Sequence, residues 1–179
     1  FCNLEGRKQK WKNFWFEKQG INGAKAFIAP TEFAGNRTKE IFNIQGKTIQ
    51  TIHYGLTLQN FENHSPKIFT KGLLLYIGTI IRKKGVLEFP EILKKIVAHN
   101  PEAHLILIGA DSFDIQTQSE STWELIQNQS DQTVKNKMTY LGKVPYSEVQ
   151  EYIRKANVCV FPTFAETLGM VTIESMAMQ

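Results

Sequence analysis

The chain has 179 residues, 42% of them hydrophobic, and a formal net charge of +4, which is enough apolar material for one buried core plus a piece of a second domain and too much for a disordered segment. No apolar run approaches the ~20 residues needed to cross a bilayer, and the N-terminal residues do not form a signal peptide, so a cytoplasmic protein is expected. The mild positive charge suits phosphate-bearing ligands or an anionic membrane surface and falls short of a nucleic-acid binder; Cys2 and Cys159 have neither metal-ligand spacing nor a neighbouring histidine and are expected to be reduced, with Cys159 in the core.

In chain order, residues 7–18 read as a helix that mixes cations with Trp11, Phe14 and Trp15 at helical spacing. Residues 24–29 read as a strand, Thr31 as the cap of a helix over 32–44, and 48–53 as a second strand. The polar, proline-containing stretch 59–66 reads as a linker. Beyond it strand and helix alternate: 73–77 then 86–98, 104–108 then 122–129, 138–141 then 147–155, and 158–161 then a helix from Gly169. Alternation of this kind means a parallel sheet, and Ser121 with Glu124 forms a capping-box pattern. There is no initiator Met, and the last helix reaches Gln179 without a stop signal, so a fragment is expected.

In doubly wound sheets a ligand sits beyond the carboxyl ends of the strands. That selects the loops opening at Gly78, Gly109, Gly142 and Pro162; the longer excursion 110–120, rich in Asp, Ser and Gln, reads as a solvated surface loop. Arg82, Lys83 and Lys84 precede a helix start, where the dipole disfavours cations, so they mark either a diphosphate site or a basic surface turn. Neither a Walker loop nor a Gly-x-Gly-x-x-Gly pattern is present, which disfavours P-loop and dinucleotide chemistry.

Glu166 and Glu174 flank the start of the last helix, eight residues apart. Glu174 falls on the stripe of Met170, Ile173 and Ala177, and a charge on an inward face needs a partner. The pair is either two ordinary solvated glutamates near a helix N-terminus or a site. In the second reading the carboxylates accept from vicinal hydroxyls while the free amides of Leu168, Gly169, Met170 and Val171 receive an anion; hydroxyls plus phosphate describe a nucleotide-sugar. The histidines His53, His64, His99 and His104 form no triad pattern and read as structural or exposed.

These motifs carry a resemblance. Over residues 25–178 the chain resembles retaining GT-B glycosyltransferases of the "group 1" family, through Phe27-Ile-Ala-Pro-Thr-Glu-Phe33 with Ile52-His-Tyr-Gly55, Leu74 to Gly78 with Lys84-Gly85, Ala103 to Gly109, Tyr140 to Pro145, and Ala156 to Glu166 followed by Glu174-Ser-Met-Ala177. The resemblance implies an α/β fold of GT-B type: a Rossmann-like doubly wound parallel sheet, truncated, preceded by the tail of a second α/β domain. Residues 1–55 would then be the C-terminal part of an acceptor-binding domain, 56–70 the interdomain linker, and 71–179 an incomplete donor-binding domain.

The activity implied is hexosyl transfer from a nucleoside-diphosphate sugar, of UDP, GDP or ADP type, to a glycan, lipid-linked or small-molecule acceptor in polysaccharide or glycoconjugate synthesis. It would proceed with retention, with no metal and no cofactor. A non-catalytic nucleotide-sugar-binding module and a nucleotide-sugar epimerase are the alternatives. By position, Glu166 would hold the transferred sugar's hydroxyls and Glu174 the ribose hydroxyls. Lys84 would contact the diphosphate beside Gly78 and Thr79, the amides of residues 168–171 would meet phosphate and sugar, and Lys143 with Val144 would border the base.

Where family members often carry Arg directly after the first loop's Gly, this chain has Thr79, and Arg82 or Lys83 is expected to replace that cation in part. The family continues past Ala177, so an apolar edge beside 158–161 and an inactive fragment are expected. The aromatics of 7–18 would pack into the rest of the acceptor domain or lie on the inner membrane surface as a peripheral contact.

Overall fold

Helix α1 (Trp11–Gly23), strand β1 (Phe27–Ala29), helix α2 (Glu32–Phe42) and strand β2 (Ile49–Thr51) open the computed structural model, which describes residues 10–57, 61 and 68–178. The linker expected at 59–66, Cys2, His64 and the start of the helix expected from residue 7 lie outside the described residues, apart from Phe61. Strands β1 and β2 pair in parallel, Phe27 opposite Ile49, with α2 as the crossover. Thr31 caps α2 as its sequence position predicts, its hydroxyl accepting from the Ala34 amide at 3.1 Å. Gly35 is buried, and a Cβ there would stand 3.2 Å from Ile49 Cγ2, so the glycine sets how closely α2 lies on the strands.

Lys47 closes the end of α1, donating to the carbonyls of Ile21, Asn22 and Ala24 at 3.2, 2.6 and 2.9 Å, where the helix dipole is negative. Phe14 stacks on Phe42 with ring centroids 5.2 Å apart, while Trp11 and Trp15 are exposed.

The second sheet contains β3 (Leu73–Ile77), β4 (His104–Ile108), β5 (Met138–Tyr140) and β6 (Val158–Cys159) in the order β5-β4-β3-β6, all parallel. Helices α3 (Phe89–His99), α4 (Thr122–Gln129), α5 (Gln132–Lys135), α6 (Tyr146–Lys155) and α7 (Met170–Ala177) complete the unit. The pleat sends alternate residues of β3 and β4 to opposite faces, so the sheet has two cores. Tyr76, Leu105 and Leu107 pack with Ile80, Phe89, Leu93 and Ile126. Leu75 and Ile108 pack on the other side with Val149, Ile153 and Met178. Helices therefore cover both faces, as expected for a doubly wound sheet.

Several boundaries differ from the sequence reading for identifiable reasons. Helix α3 starts at Phe89 because residues Val86–Glu88 form a 3-10 turn after Gly85, which sits at φ 71, and Pro90 suits only a first helical turn. Strand β6 is shorter than 158–161; its pairing with β3 ends after the Val160 amide donates to the Leu75 carbonyl at 2.8 Å, and Pro162 has no amide to extend it. It forms an edge of the described sheet, with Val158 half exposed.

The excursion 110–120 is largely exposed, as expected of a surface loop, but one of its residues is not solvated. Asp114 within it is 3% exposed and accepts from Arg82 Nε and Nη2 at 2.8 and 2.7 Å and from the Thr117 amide and hydroxyl at 3.0 and 2.7 Å. Composition alone does not distinguish this one buried carboxylate from the exposed polar residues around it. The capping box holds on the serine side, with Ser121 Oγ accepting from the Glu124 amide at 2.9 Å.

Beyond the strands, β3, β4 and β5 close on one another through Gly78 N to Ile108 O at 2.9 Å and Gly109 N to Gly142 O at 2.8 Å. Gly109 has φ 146, and a Cβ on it would lie 1.9 Å from the Gly78 carbonyl oxygen. Gly109→Ala is therefore expected to cost more than ~2 kcal/mol, read as a lowered thermal midpoint.

The Arg82 hydrogen bonds, against the opposing effect of burial, bring the Asp114 carboxyl down to about 2 from 3.8. A depressed folded-state pKa stabilises the fold above the unfolded pKa and is lost as pH falls through the folded one. The contribution, on the order of 2 kcal/mol, is fully present above about pH 5 and about half gone by pH 3. Urea unfolding at the two pH values should show this loss in the wild type and a smaller one in Asp114→Asn.

Candidate functional site

Two loops at the carboxyl ends of β3 and β6 make the site. The first is the 3-10 turn Arg82–Lys84, closed by Lys84 N to Ile81 O and Gly85 N to Arg82 O, each 2.9 Å. The second runs from Pro162 to Gly169. They touch where a Cβ on Gly85 would fall 1.8 Å from the Pro162 carbonyl oxygen, and the Phe164 amide donates to the Lys83 carbonyl at 3.1 Å. This approach delivers Lys84 Nζ onto Glu166 Oε2 as a half-buried ion pair. Lys83, Lys84, Ala165, Glu166 and Thr167 line a cleft of about 310 Å³ around it.

Burial pushes the Glu166 carboxyl up, but the Lys84 hydrogen bond, the Thr167 amide on Oε1 at 3.0 Å and the charges of Lys84 and Lys83 outweigh it and hold the group below its ordinary value. Glu166 is thus an ionised acceptor at neutral pH. Beneath the turn, Tyr76 donates to the Thr79 carbonyl at 2.9 Å, and burial followed by the Glu166 charge raises its pKa. Thr79 itself is exposed, and a Cβ on Gly78 would meet the Tyr76 hydroxyl at 2.9 Å.

Helix α7 begins after Gly169, which caps it at φ 72. Amides in a first helical turn have no partner within the helix, and this is the position of Met170 and Val171, which follow Leu168 and Gly169 of the Glu166 loop. Glu174 lies on α7, half-buried, and accepts from the Tyr146 hydroxyl at 2.7 Å. Burial, then Glu174, pushes the Tyr146 pKa up to about 12.

The expected inward stripe needs correction: Met170, Ile173 and Ala177 are only half-buried, and the buried position of α7 is Ser175, whose hydroxyl donates to the Val171 carbonyl at 2.8 Å. A small side chain that satisfies its own hydroxyl can occupy a buried position where a carboxylate cannot. Glu174 therefore lies beside the core, with a hydroxyl partner of its own.

Gly142, at φ 70, leads into exposed Lys143 and half-buried Val144, at the same end of the sheet. The structure gives Arg82, expected to replace the missing cation, a different partner: Nε and Nη2, one edge of its guanidinium, go to Asp114. Sequence reasoning missed Asp114 and Tyr146, whose partners lie 32 and 28 residues away. It read Thr31 as the cap of α2 but missed its second contact, in which the hydroxyl donates to the Thr167 carbonyl at 3.0 Å and ties the first unit to the Glu166 loop. His53, His99 and His104 bond to Pro30 O, Lys95 O and Thr139 Oγ1, in keeping with a structural reading. Among the described residues no group of three or more His, Cys, Asp or Glu could hold a metal ion, and no helix is long and apolar enough to cross a membrane.

The fold has counterparts among known proteins. D-inositol 3-phosphate glycosyltransferase of Mycolicibacterium smegmatis is 21% identical over 165 residues, covering 90% of this chain and 37% of that protein. Sucrose-phosphate synthase from Thermosynechococcus elongatus superposes with a TM-score of 0.71 at 23% identity, over 96% of this chain and 43% of its own. HepE of Anabaena, solved in complex with UDP and glucose, gives 0.62 at 15% identity, over 87% and 42%. The chain thus spans well under half the length of these relatives, and its fold is that of part of a GT-B enzyme. The family model described as glycosyl transferases group 1 matches residues 71–179, more than half of the sequence, and the chain belongs to that family.

Proposed function

We propose that the protein transfers a hexosyl group from a nucleoside-diphosphate sugar to a hydroxyl acceptor, with retention and without a metal or cofactor, in polysaccharide or glycoconjugate synthesis. The observation that carries the reading is the Lys84–Glu166 pair, set in an open cleft between two strand ends and beside the start of α7. A departing nucleoside diphosphate gains negative charge as the bond between the anomeric carbon and the phosphate oxygen breaks. Lys84 would leave Glu166 for that oxygen cluster, joined by the amides of residues 168–171 and bordered by Gly78 and Thr79.

Glu166, freed of its lysine and already ionised, would accept from the hydroxyls of the transferred sugar. Glu174 would exchange the Tyr146 hydroxyl for those of the ribose, with Lys143 and Val144 beside the base. HepE, whose fold this chain shares in part, was solved with UDP and glucose, which supports a ligand of this kind. Residues 1–55 would belong to the acceptor side, 56–70 to the connection and 71–179 to the donor side; the start of the family match at residue 71 and the reach of Thr31 to Thr167 support that division.

In the intact enzyme, binding of UDP-, GDP- and ADP-sugars should single out one base. Lys84→Ala should weaken the preferred nucleotide about 10- to 100-fold, the size of a lost charge-assisted contact. Glu174→Ala should weaken it less, and Glu166→Gln should leave nucleotide affinity near wild type while lowering kcat about 100-fold or more. Calorimetry together with initial rates measures all three. A binding profile that ignores every one of these substitutions would sink the assignment.

A further inference from the structure

The turn that carries Lys84 is anchored on two opposite sides. On one side the missing Cβ of Gly85 admits the Pro162 carbonyl, and the Lys83 carbonyl receives the Phe164 amide. On the other, Arg82 forms a bidentate pair with Asp114 in the segment following β4. Asp114 is held in turn: the amide and hydroxyl of Thr117 donate to Oδ2, and its own amide donates to the Ser119 carbonyl at 2.8 Å. The approach to the turn is tied to the same segment by Ile80 N to Ala110 O at 2.8 Å, and Ile80 is fully buried.

Measured against a well-packed apolar replacement, a buried ion pair adds little net stability, because desolvation offsets the attraction, and here its fixed geometry is the more informative property. A guanidinium edge paired with a carboxylate that has further hydrogen-bond donors of its own has little reason to exchange that partner for a ligand. Resting on the reading of Lys84 as the diphosphate cation, we propose that Asp114, acting through Arg82, is a positioning residue for Lys84, and that Arg82 is not itself a diphosphate ligand. Without the pair the turn keeps its contacts with Pro162 and Phe164 and the Ile80 tie but loses its side-chain link to the segment following β4, and the Lys84 ammonium spreads over positions short of the phosphate.

The test uses the intact enzyme, with UDP, GDP and ADP as probes, and the variants Asp114→Asn, Arg82→Ala, their double and Lys84→Ala. Asp114→Asn and Arg82→Ala should each weaken the tightest-binding nucleotide about tenfold or more, as expected for a misplaced binding group. The double variant should be no worse than either single, and the donor KM should rise while the acceptor KM stays unchanged. Circular dichroism and thermal midpoints identify variants that fail to fold; Arg82→Lys, which keeps one contact to Asp114, should recover part of the loss. If Asp114→Asn binds nucleotide as well as wild type or better while Arg82→Ala does not, Arg82 contacts the ligand directly and the proposal is overturned. If the wild type binds none of the probes, or Lys84→Ala binds them as the wild type does, the donor-site reading itself falls and the inference falls with it.

Discussion

Gly85 has no space for a side chain, and the site depends on that lack. With a Cβ 1.8 Å from the Pro162 carbonyl oxygen, the turn bearing Lys84 and the loop bearing Glu166 would have to separate. Each loop extends a different strand, β3 for the lysine and β6 for the glutamate, and these strands are neighbours in a parallel sheet. Parallel pairing brings both carboxyl ends to the same side. The glycine then closes the remaining gap, so that charges 82 residues apart in sequence meet as a half-buried pair.

The strands and the site were legible to different degrees. Residues 73–77 and 104–108 are apolar runs bounded by Gly or His, long enough to pair along their whole length, and their limits were readable without a structure. Helix α4 was readable because Ser121 caps it locally. The turn before α3 was not: a 3-10 segment and an α-helix share short-range spacing, and the left-handed Gly85 that separates them takes its reason from Pro162, far along the chain. Within the largely exposed excursion 110–120, Asp114 was not readable for the same reason, since a polar stretch looks uniformly solvated until Arg82 is seen to meet it. Local signals identified which residues carry charge; only the sheet order shows which of them meet.

The two glutamates differ in how the protein holds them. Glu166 is held by a cation and by an amide of its own loop, which together outweigh the cost of its partial burial. Glu174 is held by a neutral hydroxyl, and the interaction shows in Tyr146, whose proton becomes harder to remove. A hydroxyl partner is readily replaced by another hydroxyl of similar hydrogen-bonding strength, whereas a cation is readily replaced only when a further cation or donor arrives with the ligand, or when the ligand takes the cation itself.

That difference bears on how a ligand would enter. On the proposed reading a diphosphate draws Lys84 away and leaves Glu166 ionised, half-buried and short of a donor, a state that costs free energy unless sugar hydroxyls fill it at once. Phosphate and sugar are then favoured together, because each satisfies the group that the other leaves unpaired. A free nucleoside diphosphate would meet only half of that exchange, and a free sugar would face a carboxylate still occupied by its lysine. On that reading the Lys84–Glu166 ion pair would act as a selective element, making the whole nucleotide-sugar a better replacement for the internal contacts than either of its parts.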